Sequence, residues 1–173
     1  MAERLRMLRF HGSHIKYHHD ILGTNSRLDA LQAAVLRVKL CYLDSWADAR
    51  RSHADRYRSL FDALQVSPLV IHPPVPPAIF HHVHNQFTIR SPFRDELKEF
   101  LRLAGVPSEI YYPLCLHLQT AFAYLGHATG EFPVAETSSK EVLSLPVSPE
   151  LSDTQQDIVI KAISNFCANK KAV

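Results

Sequence analysis

Residues 23–42 read GTNSRLDALQAAVLRVKLCY. From Leu31 onward the apolar residues keep to one side of a helix: Leu31, Val35, Val38, Tyr42, Trp46, Ala49, His53, Tyr57, Leu60 and Leu64 recur at steps of three or four. No Pro or Gly interrupts residues 26–67, so the spacing predicts one long helix over 26–67. Ser26 or Asn25 can cap its start, and Asp29, three residues after Ser26, gives a variant of the capping box. A helix of that length is too long to be wrapped by a domain of this size. It bends, bridges two domains or packs on another chain.

Upstream, residues 2–10 have helical spacing, with Leu5 and Leu8 along one side, and Gly12 ends the run. So short a helix needs a surface to pack on. Residues 14–25, HIKYHHDILGTN, are polar and rich in histidine and read as a loop. Downstream, PLVIHPPVPP (68–77) carries five prolines and reads as an extended linker, covering 68–85.

The remainder, 86–173, reads as a small α/β unit. Gln86–Arg90 is a strand. Ser91-Pro92 starts a helix whose inner face is Leu97, Leu101 and Ala104, and Gly105 stops it. Glu109–Tyr112 reads as a second strand, and Phe132-Pro133 opens a helix through Leu143. Ser152 with Gln155 forms a capping box for a last helix, buried along Ile158, Val159, Ala162, Ile163 and Phe166. The fold class is α/β: a long bridging helix plus a small sheet covered by helices.

Composition bounds the function. Over 173 residues, 46% hydrophobic and 21% charged content fits a folded chain, and a formal net charge of +2 without a dense basic run excludes a nucleic-acid groove or a membrane patch. Met1–Phe10 does not read as a signal peptide, and no stretch approaches the ~20 apolar residues of a membrane span. A soluble, cytoplasmic protein is expected. Cys41, Cys115 and Cys167 are far apart and form no CxxC pair, so buried or neutral thiols are expected rather than disulfides or zinc ligands.

Several residues invite chemistry. His14, His18 and His19 cluster, as do His81, His82 and His84, but carboxylates or cysteines that would complete a metal site are missing at close spacing apart from Asp20. No metal is expected. Cys115 and His117 are spaced to share a strand face, yet nothing else supports a nucleophile, and GxSxG, GxxxxGK[ST] and GxGxxG are absent. None of the seven lysines has an apolar sequence setting of the kind a Schiff base needs. Gly23–Arg27 lies at the mouth of the predicted helix, where free N–H groups and the helix dipole suit a phosphate; Asn25 adds an amide donor and Arg27 a fork of N–H groups. A plain N-cap with a salt-bridging arginine is the commoner outcome of that spacing alone.

The segments RMLRFHGS, HHDILGTNSRLDALQAAVLRVKL, HNQFTIR, EIYYPLCLHLQ and FPVAETSSKEVLSLPVSPELSDTQQDIVIKAI together resemble, in order, the DegT/StrS-type sugar aminotransferases. The resemblance implies the C-terminal part of a fold-type I, pyridoxal-phosphate-dependent enzyme. Such enzymes transfer an amino group, usually from glutamate, to a keto group on a nucleotide-linked sugar, and they work as homodimers with active sites at the subunit boundary. It implies a division into 1–25 (remnant of the large domain and active-site loop), 26–67 (interdomain helix), 68–85 (linker) and 86–173 (small domain). Asn25 matches the asparagine that reaches the cofactor phosphate of the neighbouring subunit, with Arg27 beside it. His19, Tyr111 and His117 match positions near the sugar-nucleotide entrance. The family's Schiff-base lysine precedes the RMLRxHG segment, and Lys16 does not match it. The expectation is therefore no catalytic residue here, no cofactor bound by this chain alone, and a partner that is a second copy or a complementing N-terminal chain. The alternative is a non-catalytic dimerisation module derived from the same family.

Overall fold

The computed structural model describes residues 1–64, 69–77 and 79–171, with side chains through Lys170. The chain divides into two compact units, Met1–Asp44 and Ser45–Val173.

In the first unit, α1 (Ala2–Arg9) is followed by a small antiparallel hairpin of β1 (Ser13–Ile15) and β2 (His18–His19), then by α2 (Ala30–Leu40). The hairpin corrects the loop expected over 14–25. Its neck is set by two glycines. Gly12 has φ +74°, and a Cβ there would collide with the Ile21 carbonyl oxygen; a Cβ on Gly23 would collide with the Gly12 nitrogen and lie 2.7 Å from the Leu8 carbonyl oxygen. The returning strand is pinned by Thr24 N–H to Leu8 O at 2.7 Å, Ser26 N–H to Arg9 O at 3.1 Å, and His11 N–H to Thr24 O at 3.1 Å.

The single helix expected over 26–67 is two helices. The first starts at Ala30, not at Ser26: its N-cap is Asp29, whose backbone N–H donates to the Gln32 side-chain oxygen at 3.4 Å. It ends at Leu40, and α3 runs Leu43–Leu64. At the junction Cys41 N–H donates to Val38 O (3.3 Å) and Tyr42 N–H to Lys39 O (3.0 Å), so the ladder tightens from fourth-residue to third-residue bonds. Residues 65–67 and Pro68 of the predicted helix and linker lie outside the described residues.

The second unit is built on β3 (Phe87–Arg90) and β4 (Val142–Leu145), paired antiparallel with Phe87 opposite Leu145 and Ile89 opposite Leu143. Isolated bridges extend the pairing at both edges, Ile71 to Arg90 and Glu109 to Ser144. The strand expected at 109–112 is thus a single bridge. The stretch read as the end of a helix at 142–143 is instead a strand, because α5 (Pro133–Glu141) stops at Glu141. Alternation puts Phe87, Ile89, Leu143 and Leu145 into the core, while Thr88 and Ser144 hydroxyls meet at 2.8 Å on the other face.

Helix α3 covers this core with Ala54, Tyr57 and Phe61; α4 (Arg94–Leu103) adds Leu97 and Leu101, and α6 (Asp153–Lys171) adds Val159, Ile160, Ala162, Ile163, Phe166 and Cys167. Two expected core positions are wrong: Ile158 is 54% exposed and Ala104 is exposed. The capping box at α6 is present, with Ser152 N–H to Gln155 Oε1 at 2.9 Å and Gln155 N–H to Ser152 Oγ at 3.2 Å. Arg94 is buried and donates to the carbonyls of Ser139 and Val142 at 3.0 and 3.2 Å, closing the C-terminal end of α5 with charge. The three thiols are free: Cys167 is buried, Cys115 half-buried and Cys41 exposed.

Candidate functional site

Asn25 stands in an isolated bridge with Phe10, ahead of the α2 N-cap rather than on it. The dipole of α2 is therefore not what prepares this position. Arg27 Nε–H donates to Asn25 Oδ1 at 3.0 Å, and the guanidinium lies 5.4 Å from the Phe10 ring centre. Arginine can only donate, so this bond fixes the amide orientation. What Asn25 can offer a ligand is its Nδ2 amine, next to the outer N–H groups of Arg27. The two residues form a small donor pair suited to an oxyanion. His19 belongs to the same hairpin: its Nδ1 donates to the His11 carbonyl at 2.9 Å and is also 2.9 Å from Ser13 Oγ.

The other matched positions lie in the second unit. Tyr111 and Tyr112 are joined by a cis peptide and their rings sit edge to face, 6.0 Å apart. They wall a cleft of about 410 Å³ together with Cys115, Leu116 and Gln119. His117 does not share a strand face with Cys115, because residues 116–118 form a 3₁₀ turn. Its Nε2 instead lies 3.1 Å from Glu136 Oε1, with both side chains 10% exposed. A carboxylate can only accept, so Nε2 carries the hydrogen.

Glu136 is the functional-looking residue that sequence reasoning missed. It sits inside the first turn of the Pro-started α5, and its carboxylate also accepts the Gly130 N–H at 2.8 Å and the Phe132 N–H at 3.2 Å. The Gly130 amide, with those of Phe132 and the His117 ring, holds its carboxyl below the usual carboxylate range. The only signal in the sequence was an acid placed where a helix N-terminus favours one. The Phe132 ring lies against His117 in a tilted arrangement, ring centres 4.7 Å apart.

The chemistry on hand is anion holding in one unit and an aromatic cleft beside an oriented imidazole in the other. No group of three or more His, Cys, Asp or Glu among the described residues could hold a metal. Of the lysines with described side chains, none is buried; Lys98 and Lys170 are spent on Glu109 and Glu96. The donor set therefore fits the phosphate end of pyridoxal phosphate, and among the described side chains no enclosed amine faces its aldehyde.

The chain belongs to the DegT/DnrJ/EryC1/StrS aminotransferase family, whose model matches residues 1–164, and the family's enzymes are pyridoxal-phosphate-dependent. It is 48% identical over 96% of its length to a pleiotropic regulatory protein of Geobacillus stearothermophilus, covering 44% of that protein. It is 42% identical, again over 96% of its length, to the dTDP-3-amino-3,4,6-trideoxy-α-D-glucose transaminase of Streptomyces venezuelae, covering 43% of it. The crystal structure of S. venezuelae DesV in complex with a ketimine intermediate superposes with a TM-score of 0.81 at 41% identity, over 96% of this chain and 44% of that one. The chain thus spans less than half the length of the relatives it matches.

Proposed function

We propose that this chain supplies the C-terminal portion of an enzyme that moves an amino group from glutamate to a keto group on a nucleotide-linked sugar. Asn25 and Arg27 hold the phosphate of pyridoxal phosphate seated in a partner subunit, and His19, Tyr111 and His117 line the approach of the sugar nucleotide. The observation that carries this is the Arg27–Asn25 bond, which holds the amide oxygen toward Arg27 and presents the Nδ2 hydrogens outward. The S. venezuelae transaminase, acting on a dTDP-linked amino sugar, supports the substrate class. When bound, the cofactor supplies the electron sink for amino transfer; this chain's part is to hold the phosphate and shape the entrance. By itself the chain is inactive.

Complementation tests the reading. Mixed with a lysine-bearing N-terminal half from a relative, the chain is expected to restore glutamate-dependent release of 2-oxoglutarate, and Asn25→Ala to abolish the gain. Full restoration by Asn25→Ala/Arg27→Ala would refute the phosphate role.

A second reading has its own support. Along α2, Leu31, Val35, Val38 and Leu40 are each more than half exposed, an apolar surface larger than scattered residues explain. In that reading the chain is a non-catalytic module that docks on a second copy or on a relative. A monomer by gel filtration at high concentration would count against it.

A further inference from the structure

A second cavity, of about 770 Å³, lies within the second unit between α3, the proline-rich segment and the start of β3. It takes no part in the amino-transfer reading. Its polar lining is Arg58, His81, His82, His84, Asn85 and Gln86, with Pro73, Pro74 and Pro76 as an apolar wall; among the described lining residues there is no carboxylate. A cavity with a guanidinium, imidazoles and amides, and no acid, selects a negatively charged guest.

The lining is built rather than incidental. Arg58 is 5% exposed and is held by three bonds: Nη1–H to Asp55 Oδ1 at 2.6 Å, Nε–H to Pro73 O at 3.3 Å, and Nη2–H to His84 Nε2 at 3.3 Å. These use three of its five N–H donors. Because Arg58 donates to Nε2, His84 is neutral and keeps its hydrogen on Nδ1. His84 N–H donates to His82 Nδ1 at 3.0 Å, so His82 keeps its hydrogen on Nε2, and the two rings lie 4.1 Å apart. Each imidazole is thus locked in the tautomer that leaves one N–H donor.

We propose that this cavity binds a small oxyanion, a phosphate or carboxylate group with room for an organic body, and that protonation of His84 tightens the grip. His84 faces Arg51, Asp55 and Arg58 from α3 and His82 from the proline-rich segment; β3 presents no charge to it, since only Thr88 of that strand lines the cavity. Burial first, then His82 and Arg58, holds the His84 imidazole down to about 4. An anion among these groups reverses the balance, and by linkage the anion binds more tightly at low pH.

Sulfate is the probe, because it remains a dianion across the range tested. Titrated into the 15N-labelled chain, it is expected to give saturable amide shifts at Arg58 and His81–Gln86, with half-saturation in the millimolar range. Binding should tighten ~10-fold between about pH 7.5 and about pH 5. His84→Phe, which keeps a planar ring and removes its nitrogens, should weaken binding ~10-fold at the lower pH and remove the pH dependence. Should that variant fail to fold, exposed His82→Ala carries the same test. Competition by phosphate or by acetate tells a phosphoryl guest from a carboxylate one. Shifts that do not saturate, shifts confined to Asn25–Arg27, or sulfate affinity unchanged in both histidine variants would overturn the proposal.

Discussion

The thiol of Cys41 lies 3.5 Å from the carbonyl oxygen of Arg37, the acceptor that the backbone N–H of Cys41 would take in an unbroken helix. The N–H turns instead to Val38, one residue nearer. A side chain bonding back to the carbonyl four residues earlier competes with the helix ladder. Cys41→Ala removes the competitor. The amides of residues 41 and 42 should then exchange more slowly with deuterium, with a stability change under about 1 kcal/mol. Unaltered exchange at both positions would show that the thiol does not cause the break.

Gly23→Ala should dismantle the hairpin neck. The new methyl meets backbone rather than a movable side chain, on the Gly12 nitrogen and the Leu8 carbonyl. Overpacking of this kind costs about 1–3 kcal/mol. Amide shifts across residues 8–26 are expected to collapse toward unstructured values, while those of β3 and β4 stay in place. Ordinary dispersion at residues 8–26 would rule the clash out.

Glu136 gives a pH signature. Its folded-state carboxyl is held low by the Gly130 N–H, with Phe132 and His117 adding to the effect, so its contribution is complete above the ordinary carboxylate range of about 4 and is lost as pH falls through the depressed value. Glu136→Gln should therefore lower the melting temperature at neutral pH and flatten its decline on acidification. Parallel acid limbs for the two proteins would remove Glu136 from that account.

Inside α3 and α6, Gln156 and Tyr57 make opposite forecasts. Gln156 is fully buried and donates Nε2–H to the His53 carbonyl at 2.9 Å. The Tyr57 hydroxyl is buried without a partner within hydrogen-bonding geometry. Gln156→Ala strips a buried donor and leaves a cavity, at a cost of about 2–4 kcal/mol. Tyr57→Phe deletes an unpaired hydroxyl and should shift stability by less than about 1 kcal/mol. Chemical denaturation measures both, and equal losses would mean that the hydroxyl is bonded in solution.

Local chemistry was the part of this fold that could be read in advance. Ser152 and Gln155 announce the α6 start by side chains that bond each other, and the Gln86–Arg90 strand announces itself by alternation. Val142–Leu145 did not, because four residues are too few for the alternation of Leu143, Ser144 and Leu145 to stand out directly after a helix. The break after Leu40 was hidden as well, since neither Cys41 nor Tyr42 is a breaker and the thiol contact with the Arg37 carbonyl leaves no mark in the sequence. Within the candidate site, Asn25 and Arg27 were singled out by the resemblance and by donor chemistry, and the structure joins them by one hydrogen bond. Glu136 was not, because its importance lies in donors that only the fold assembles: the Gly130 and Phe132 N–H groups from one turn and the His117 ring from another.

A side chain on Gly12 would need the room of the Ile21 carbonyl, and one on Gly23 the room of the Gly12 backbone, so neither glycine can be exchanged without moving the chain that closes the neck. The chain between them is under no such restriction at its far end, where Lys16 and Tyr17 turn in open solvent. Insertions and deletions among kindred sequences should accumulate at that tip and spare the neck. Tailoring of what this loop greets can thus proceed by lengthening or shortening its end, without disturbing the anchorage of Asn25.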